Sequence, residues 1–237
     1  MNSTPAAKDT ADQIAGARES GIWSEQFSVY LDLVRFLAAA YVMLAHTKYP
    51  RFTDGWLITF GKLTNDAVMI FFVRSGLVIA HVTTQKERDF PSYALARLSR
   101  LWSVALPALL VGALADAIGT QLQASLYDGP WFAADHPLVR ILISAIFSGE
   151  LWFLDMLPFS NAPYWSINYE FWYYAIFAVL VFARGWQRIL LLLLTALICG
   201  PKILLLLPVW LFGVAISRAI NKAAPFRYIN WSRFWRN

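Results

Sequence analysis

Tyr30–Leu31–Asp32–Leu33–Val34–Arg35–Phe36–Leu37–Ala38–Ala39–Ala40–Tyr41–Val42–Met43–Leu44–Ala45–His46 is the stretch on which the fold turns. It is nearly continuous apolar sequence interrupted by Asp32, Arg35 and His46. Its length approaches the ~20 residues that carry an α-helix across a bilayer. Eleven residues separate Arg35 from His46. At about 100° per residue, eleven steps bring a helix back to within roughly 20° of its starting direction. Both side chains therefore share one face, about 16 Å apart at ~1.5 Å of rise per residue. Ionisable groups inside a membrane are costly and usually functional, so an aligned pair points to a polar path. The plainer alternative is that Arg35 snorkels to the interface and His46 caps the far end.

The rest of the chain has the same character. Of its 237 residues, 58% are hydrophobic, 15% are charged and eleven are tryptophan. A soluble domain has nearly half apolar and about a quarter charged residues. The expected fold is therefore all-α, a polytopic transmembrane helical bundle in contact with the lipid bilayer. Cys199 is the single cysteine, which excludes a disulfide framework and a cysteine metal site. No His, Asp or Glu set has metal-ligand spacing, so no metal is expected. Nucleic acid is not an expected partner. Residues 1–29 are polar and lack the apolar core of a secretory signal. They read as a cytoplasmic tail, with the first span acting as an uncleaved insertion signal.

Six segments read as crossing or nearly crossing the bilayer: 30–49, 63–82, 98–116, 165–183, 188–200 and 203–219. The last two are short and flank Gly200–Pro201–Lys202; one long, broken helix is the alternative reading. A further apolar patch, 138–147, is best left out of the count. With the N-terminus inside and that patch not crossing, thirteen Lys and Arg fall inside against five outside. This is the bias that the positive-inside rule requires, and it gives an N-in/C-in topology. Residues 30–219 then form one transmembrane domain, with 117–164 a large external segment whose patches dip into the membrane or lie on it. Residues 220–237 form a basic, aromatic tail suited to an anionic inner leaflet.

Four motifs in sequence order carry a family likeness. The first is Leu31–Asp32–Leu33–Val34–Arg35–Phe36–Leu37–Ala38–Ala39 with His46. The second is Asn65–Asp66–Ala67–Val68–Met69–Ile70–Phe71–Phe72–Val73–Arg74–Ser75–Gly76. The third is Tyr93–Ala94–Leu95–Ala96–Arg97–Leu98–Ser99–Arg100–Leu101, followed by Pro107. The fourth is Tyr164–Trp165–Ser166–Ile167–Asn168–Tyr169–Glu170–Phe171–Trp172–Tyr173–Tyr174. Together they resemble the membrane-bound acyltransferase-3 family, whose members O-acylate carbohydrates of the bacterial envelope. The likeness runs over 30–217. Family members usually carry more spans than six, so the resemblance implies a C-terminally truncated member, a fragment or a short variant. Arg74 stands where the family more often has an apolar residue. A cation near mid-membrane costs roughly 3 kcal/mol and needs a partner or water; Glu170, Asp66 and Asp32 are the candidates.

The resemblance implies transfer of an acyl group, acetyl the expected one, from acyl-CoA to a hydroxyl of an exopolysaccharide, lipopolysaccharide or related glycan or glycolipid. The expected location is the bacterial inner membrane, with acyl-CoA as co-substrate and no bound cofactor. Arg35, Arg97 and Arg100 are the expected donor contacts; the latter two are helix neighbours, and guanidinium suits phosphate. His46 is the expected general base, since an imidazole titrates near operating pH. Glu170 is expected to orient His46 or bind the acceptor, and Asp32 to orient Arg35. Ser75 reads either as a covalent acyl carrier or as half of a Ser-Gly packing contact. Trp165 and Ser166 open the fourth motif; its aromatics suit the interface belt, packing or sugar stacking. Two other function classes remain open on sequence: a transporter-like proton or anion pathway through Arg35, Arg74, His46 and Glu170, and an inactive homologue acting as a membrane partner. An oligomer or partner protein would cover polar faces left exposed.

Overall fold

The computed structural model describes residues 23–46, 63–85, 87, 89–129 and 132–223. Among them the secondary structure is entirely helical. That follows from an apolar surround, where each backbone amide must find its partner within its own helix. Helix α1 spans Glu25–His46, and its N-terminus is capped by Ser24 Oγ accepting from Phe27 N at 3.3 Å. Helix α2 spans Thr64–Gln85. Helix α3, Phe90–Leu122, starts at Asp89, whose carboxylate accepts from Ser92 N at 2.9 Å, with a proline in its first turn. Its 33 residues extend beyond the predicted 98–116 at both ends. Helix α4, Pro137–Ala145, has nine residues, a rise of about 14 Å and too little to cross a bilayer. Helices α5, Trp165–Phe182, and α6, Gly185–Ala223, complete the bundle.

Helices α1, α2, α3 and α6 are long and apolar enough to cross a membrane. Large apolar side chains on α1, α3 and α6 face outward (Phe36, Leu110 and Leu205 among them), as lipid-facing surfaces do. The predicted segment 165–183 forms α5, which is shorter than these four and buries Asn168, Tyr169, Tyr173 and Tyr174 at the centre of the bundle. The predicted pair 188–200 and 203–219 forms the two arms of α6, two helical segments that meet at a non-helical residue. The break is at Gly200, where φ is 73°, a conformation open to glycine and strained for residues with a Cβ. The tail before residue 23, Lys48, Arg51, Lys62, Lys86, Arg88 and the tail from 224 onward lie outside the described residues.

Ring contacts set the helix directions. Trp23 stacks on His81 at 3.6 Å and donates through Nε1 to Asn221, so the start of α1 meets the ends of α2 and α6. Phe90 packs on Phe182, which adds the start of α3 and the end of α5 to the same side. The opposite side holds His46, the end of α3, α4 and the segment after it. Helices α2 and α6 meet through glycine: a Cβ on Gly76 would lie 2.1 Å from Trp210 O, and one on Gly213 would lie 1.9 Å from Val73 O. Small residues at both positions are what allow the two backbones to approach this closely.

The segment between α3 and α5 is folded onto the helices. Asp116 accepts from Ser160 N at 3.1 Å and Ser160 Oγ at 2.7 Å. Buried Arg140 donates to Asp135 O and Leu157 O, each at 2.9 Å, and pairs with the Asp135 carboxylate. That guanidinium holds the Asp135 carboxyl below its usual range. Trp152 closes the break in α6. Pro201 has no N–H for Leu197 O, four residues back, and the Trp152 indole Nε1 donates to that carbonyl at 2.9 Å. Trp152 N donates to Cys199 O at 3.0 Å.

Candidate active site

Four helices bring polar side chains to one level of the bundle, Asp32 and Arg35 on its surface and Ser75 within it. Arg35, Arg74 and Arg100 each lie ten residues from the start of α1, α2 and α3, about 15 Å into each helix. The directions of the helices make these equivalent depths near the middle. Arg74 answers the question of its partner: Nη2 pairs with Asp32 Oδ1 at 2.5 Å, and Nε donates to Leu31 O at 2.9 Å. Asp32 therefore does not orient Arg35, contrary to expectation, because the fixed fork of Arg74 engages both the carboxylate and the adjacent carbonyl. Arg35 and Arg100 lie close enough to Arg74 to act on it electrostatically. Arg35 is exposed and Arg100 half-buried. Among the described residues neither guanidinium forms a salt bridge.

Beside these cations, Ser75 Oγ donates to Glu170 Oε1 at 2.7 Å and lies 3.2 Å from Tyr174 Oη. Tyr174 Oη also donates to Glu170 Oε1. One carboxylate oxygen thus takes two hydroxyl donors, the arrangement an ionised carboxylate accepts best. Glu170 is bound to Ser75 and Tyr174, and no contact joins it to His46 among the described residues. Tyr174 carries no site role on sequence grounds. The signal available for it is its spacing of four residues from Glu170 on one helix, which makes the two neighbours.

His46 sits at the far end of α1 with Nδ1 2.7 Å from Val42 O. A carbonyl accepts only, so Nδ1 carries the hydrogen and the neutral ring keeps its lone pair on Nε2. Arg97 and Arg100, although three apart, have separate surroundings. Arg97 is 7% exposed and pairs with Glu87, which also accepts from Thr83 Oγ1 at 3.2 Å. The Arg97 guanidinium stands 5.7 Å from the centre of the Tyr93 ring. Glu87 is a second residue that sequence reasoning missed, since it lies in a short turn between helices. Trp165 packs edge-on against Phe72 and Tyr169, and Ser166 Oγ donates to Pro163 O at 3.1 Å at the start of α5. Both serve the local fold of the fourth motif. Among the described residues no His, Cys, Asp and Glu group could hold a metal ion.

Such a site, with cations and a hydroxyl-bonded carboxylate at mid-depth and, at one end, a histidine whose Nε2 has no partner among the described residues, has the groups needed to hold an anionic donor and deprotonate a hydroxyl. Comparison with curated proteins and with solved structures finds no match. The sequence matches the acyltransferase-domain family over residues 28–234. The match covers most of the chain, including all the residues just described, so the chain belongs to the acyltransferase-3 family and is a multi-pass membrane acyltransferase.

Proposed function

We propose that this protein is an O-acyltransferase of the bacterial inner membrane, with both ends of the described chain on the cytoplasmic side. It moves an acyl group, acetyl in the simplest case, from acyl-CoA to a hydroxyl of an envelope or exported carbohydrate. The observation that carries this reading is the state of His46: Nδ1–H is held by Val42 O at 2.7 Å, which leaves Nε2 as the acceptor. Arg35 shares its helix face about 16 Å away, a distance suited to an extended pantetheine arm between a phosphate anchor and a reacting thioester. Arg97 is engaged by Glu87, so Arg35 and Arg100 are the better donor contacts.

In this mechanism His46 Nε2 takes the proton of the acceptor hydroxyl as its oxygen attacks the thioester carbonyl. The carbon–sulfur bond then breaks, and the departing CoA thiolate takes the proton from the imidazolium. The new ester stays with the carbohydrate. Glu170, held by Ser75 and Tyr174, tunes the field around the donor cations without touching His46.

The test uses the full chain in proteoliposomes with radiolabelled acetyl-CoA and a panel of envelope glycans. Transfer by wild type that is lost in a folded His46→Ala variant supports the reading. Undiminished transfer in that variant removes His46 as the base. Absence of transfer to every glycan by folded wild type refutes the carbohydrate acceptor.

A further inference from the structure

Asp32 and Arg35 stand three residues apart on α1, where helix neighbours of opposite charge pair readily. That pair does not form. Asp32 is drawn instead to Arg74, which reaches it from α2 and is fixed by a second bond to Leu31 O. The Arg74 side chain is 12% exposed and that of Asp32 is 67% exposed. The arginine is thus set by the packed bundle, and the carboxylate is the more exposed partner that it holds.

We propose that Arg74 is a positioning residue that sequesters Asp32 and so keeps Arg35 free to take an anionic group of the acyl donor. The proposal rests on the acyl-CoA reading above. Without Arg74, Asp32 turns to Arg35, and an incoming phosphate must displace a carboxylate already paired with Arg35. The two-point hold explains the choice of arginine. A lysine ammonium would match the charge but lacks the fork that grips main chain and carboxylate together.

The test measures acetyl-CoA binding to the full chain in nanodiscs. Arg74→Leu should weaken binding by about tenfold, the effect of making one strong charged interaction compete with an internal carboxylate. Adding Asp32→Asn should restore it to within about twofold of wild type, since the competing charge is then gone. A purely structural clamp predicts the opposite, because the double variant lacks the clamp as well. Unchanged binding in Arg74→Leu, or no recovery in the double variant, overturns the proposal. Should Arg74→Leu fail to fold, the double variant decides alone: near-normal binding supports sequestration and abolished binding refutes it. Side-chain nitrogen NMR reads the same exchange with no donor present. Loss of Arg74 must shift the Arg35 guanidinium signal, and Asp32→Asn must return it. A shift that reverses while wild type fails to bind acetyl-CoA refutes the donor reading alone; an Arg35 signal indifferent to Arg74 refutes the sequestration whatever the donor.

Discussion

Replacing Gly213 by alanine tests how the site is held at its level in the bundle. The added Cβ would lie 1.9 Å from Val73 O and 2.8 Å from Leu77 N, whereas ordinary contact begins at 3.4 Å. Both obstacles are backbone, so no side chain can swing aside, and α2 and α6 must separate by about 1.5 Å. Overpacking costs ~1–3 kcal/mol when side chains absorb it; backbone on backbone places this case near 3 kcal/mol. For a chain of this size that lowers Tm by roughly 6–12 °C. The separation also carries Ser75 with α2. A 2.7 Å bond to Glu170 stretched by a comparable amount is no longer a hydrogen bond, so acyl transfer should fall together with stability. Gly112→Ala is the matched control, because nothing stands within 4 Å of its Cβ and alanine is favoured over glycine inside a helix by about 0.5–1 kcal/mol. Thermal unfolding in detergent and transfer assays below Tm read both effects. Equal Tm values for Gly213→Ala and Gly112→Ala would refute the argument that close backbone approach sets this crossing.

Three more outcomes are expected. Ser75→Ala removes one of two donors to Glu170 and should lower the transfer rate about tenfold, the size of one charged hydrogen bond; complete loss would instead make Ser75 the acyl carrier. Trp152→Phe keeps the ring but orphans Leu197 O, so stability should drop by about 1–3 kcal/mol in denaturant titration; an unchanged midpoint would mean that another donor replaces the indole. Burial holds Glu150 above its usual value of 4.5, even against the opposing pull of Lys202. The folded state therefore binds this proton more tightly than the unfolded one, and the group's stabilising contribution is full below pH 4.5 and lost as pH rises through the raised value. Tm of wild type minus that of Glu150→Gln should fall over that window; a flat difference would remove the effect.

Much of this was legible because apolar runs and charge asymmetry are local signals. The helix containing Arg35 and His46 follows from composition and spacing, and the break near Gly200 from Gly-Pro chemistry. The pairing within the site was not legible. Asp32 sits beside Arg35 in sequence, yet its carboxylate goes to Arg74 forty-two residues away. That choice depends on how closely α1 and α2 pack, and no periodicity within one helix encodes it. Glu170 likewise finds Ser75 ninety-five residues away, and Arg97 pairs with Glu87, a residue of an interhelical turn. Ion-pair geometry at mid-depth is a property of how helices cross, which no single helix's sequence pattern encodes.

The indole of Trp152 has a mechanical consequence. It takes the place of a hydrogen that proline lacks, so the segment before α5 and the corner of α6 are fastened at a hinge. If that segment lifts, the load passes to Gly200, the residue most able to yield. From there the second arm of α6 runs through Pro208 to the glycine crossing with α2, one residue from Ser75. The fastening at Trp152 and the hydroxyl that bonds Glu170 are thus joined through one arm of a single helix and its crossing with α2.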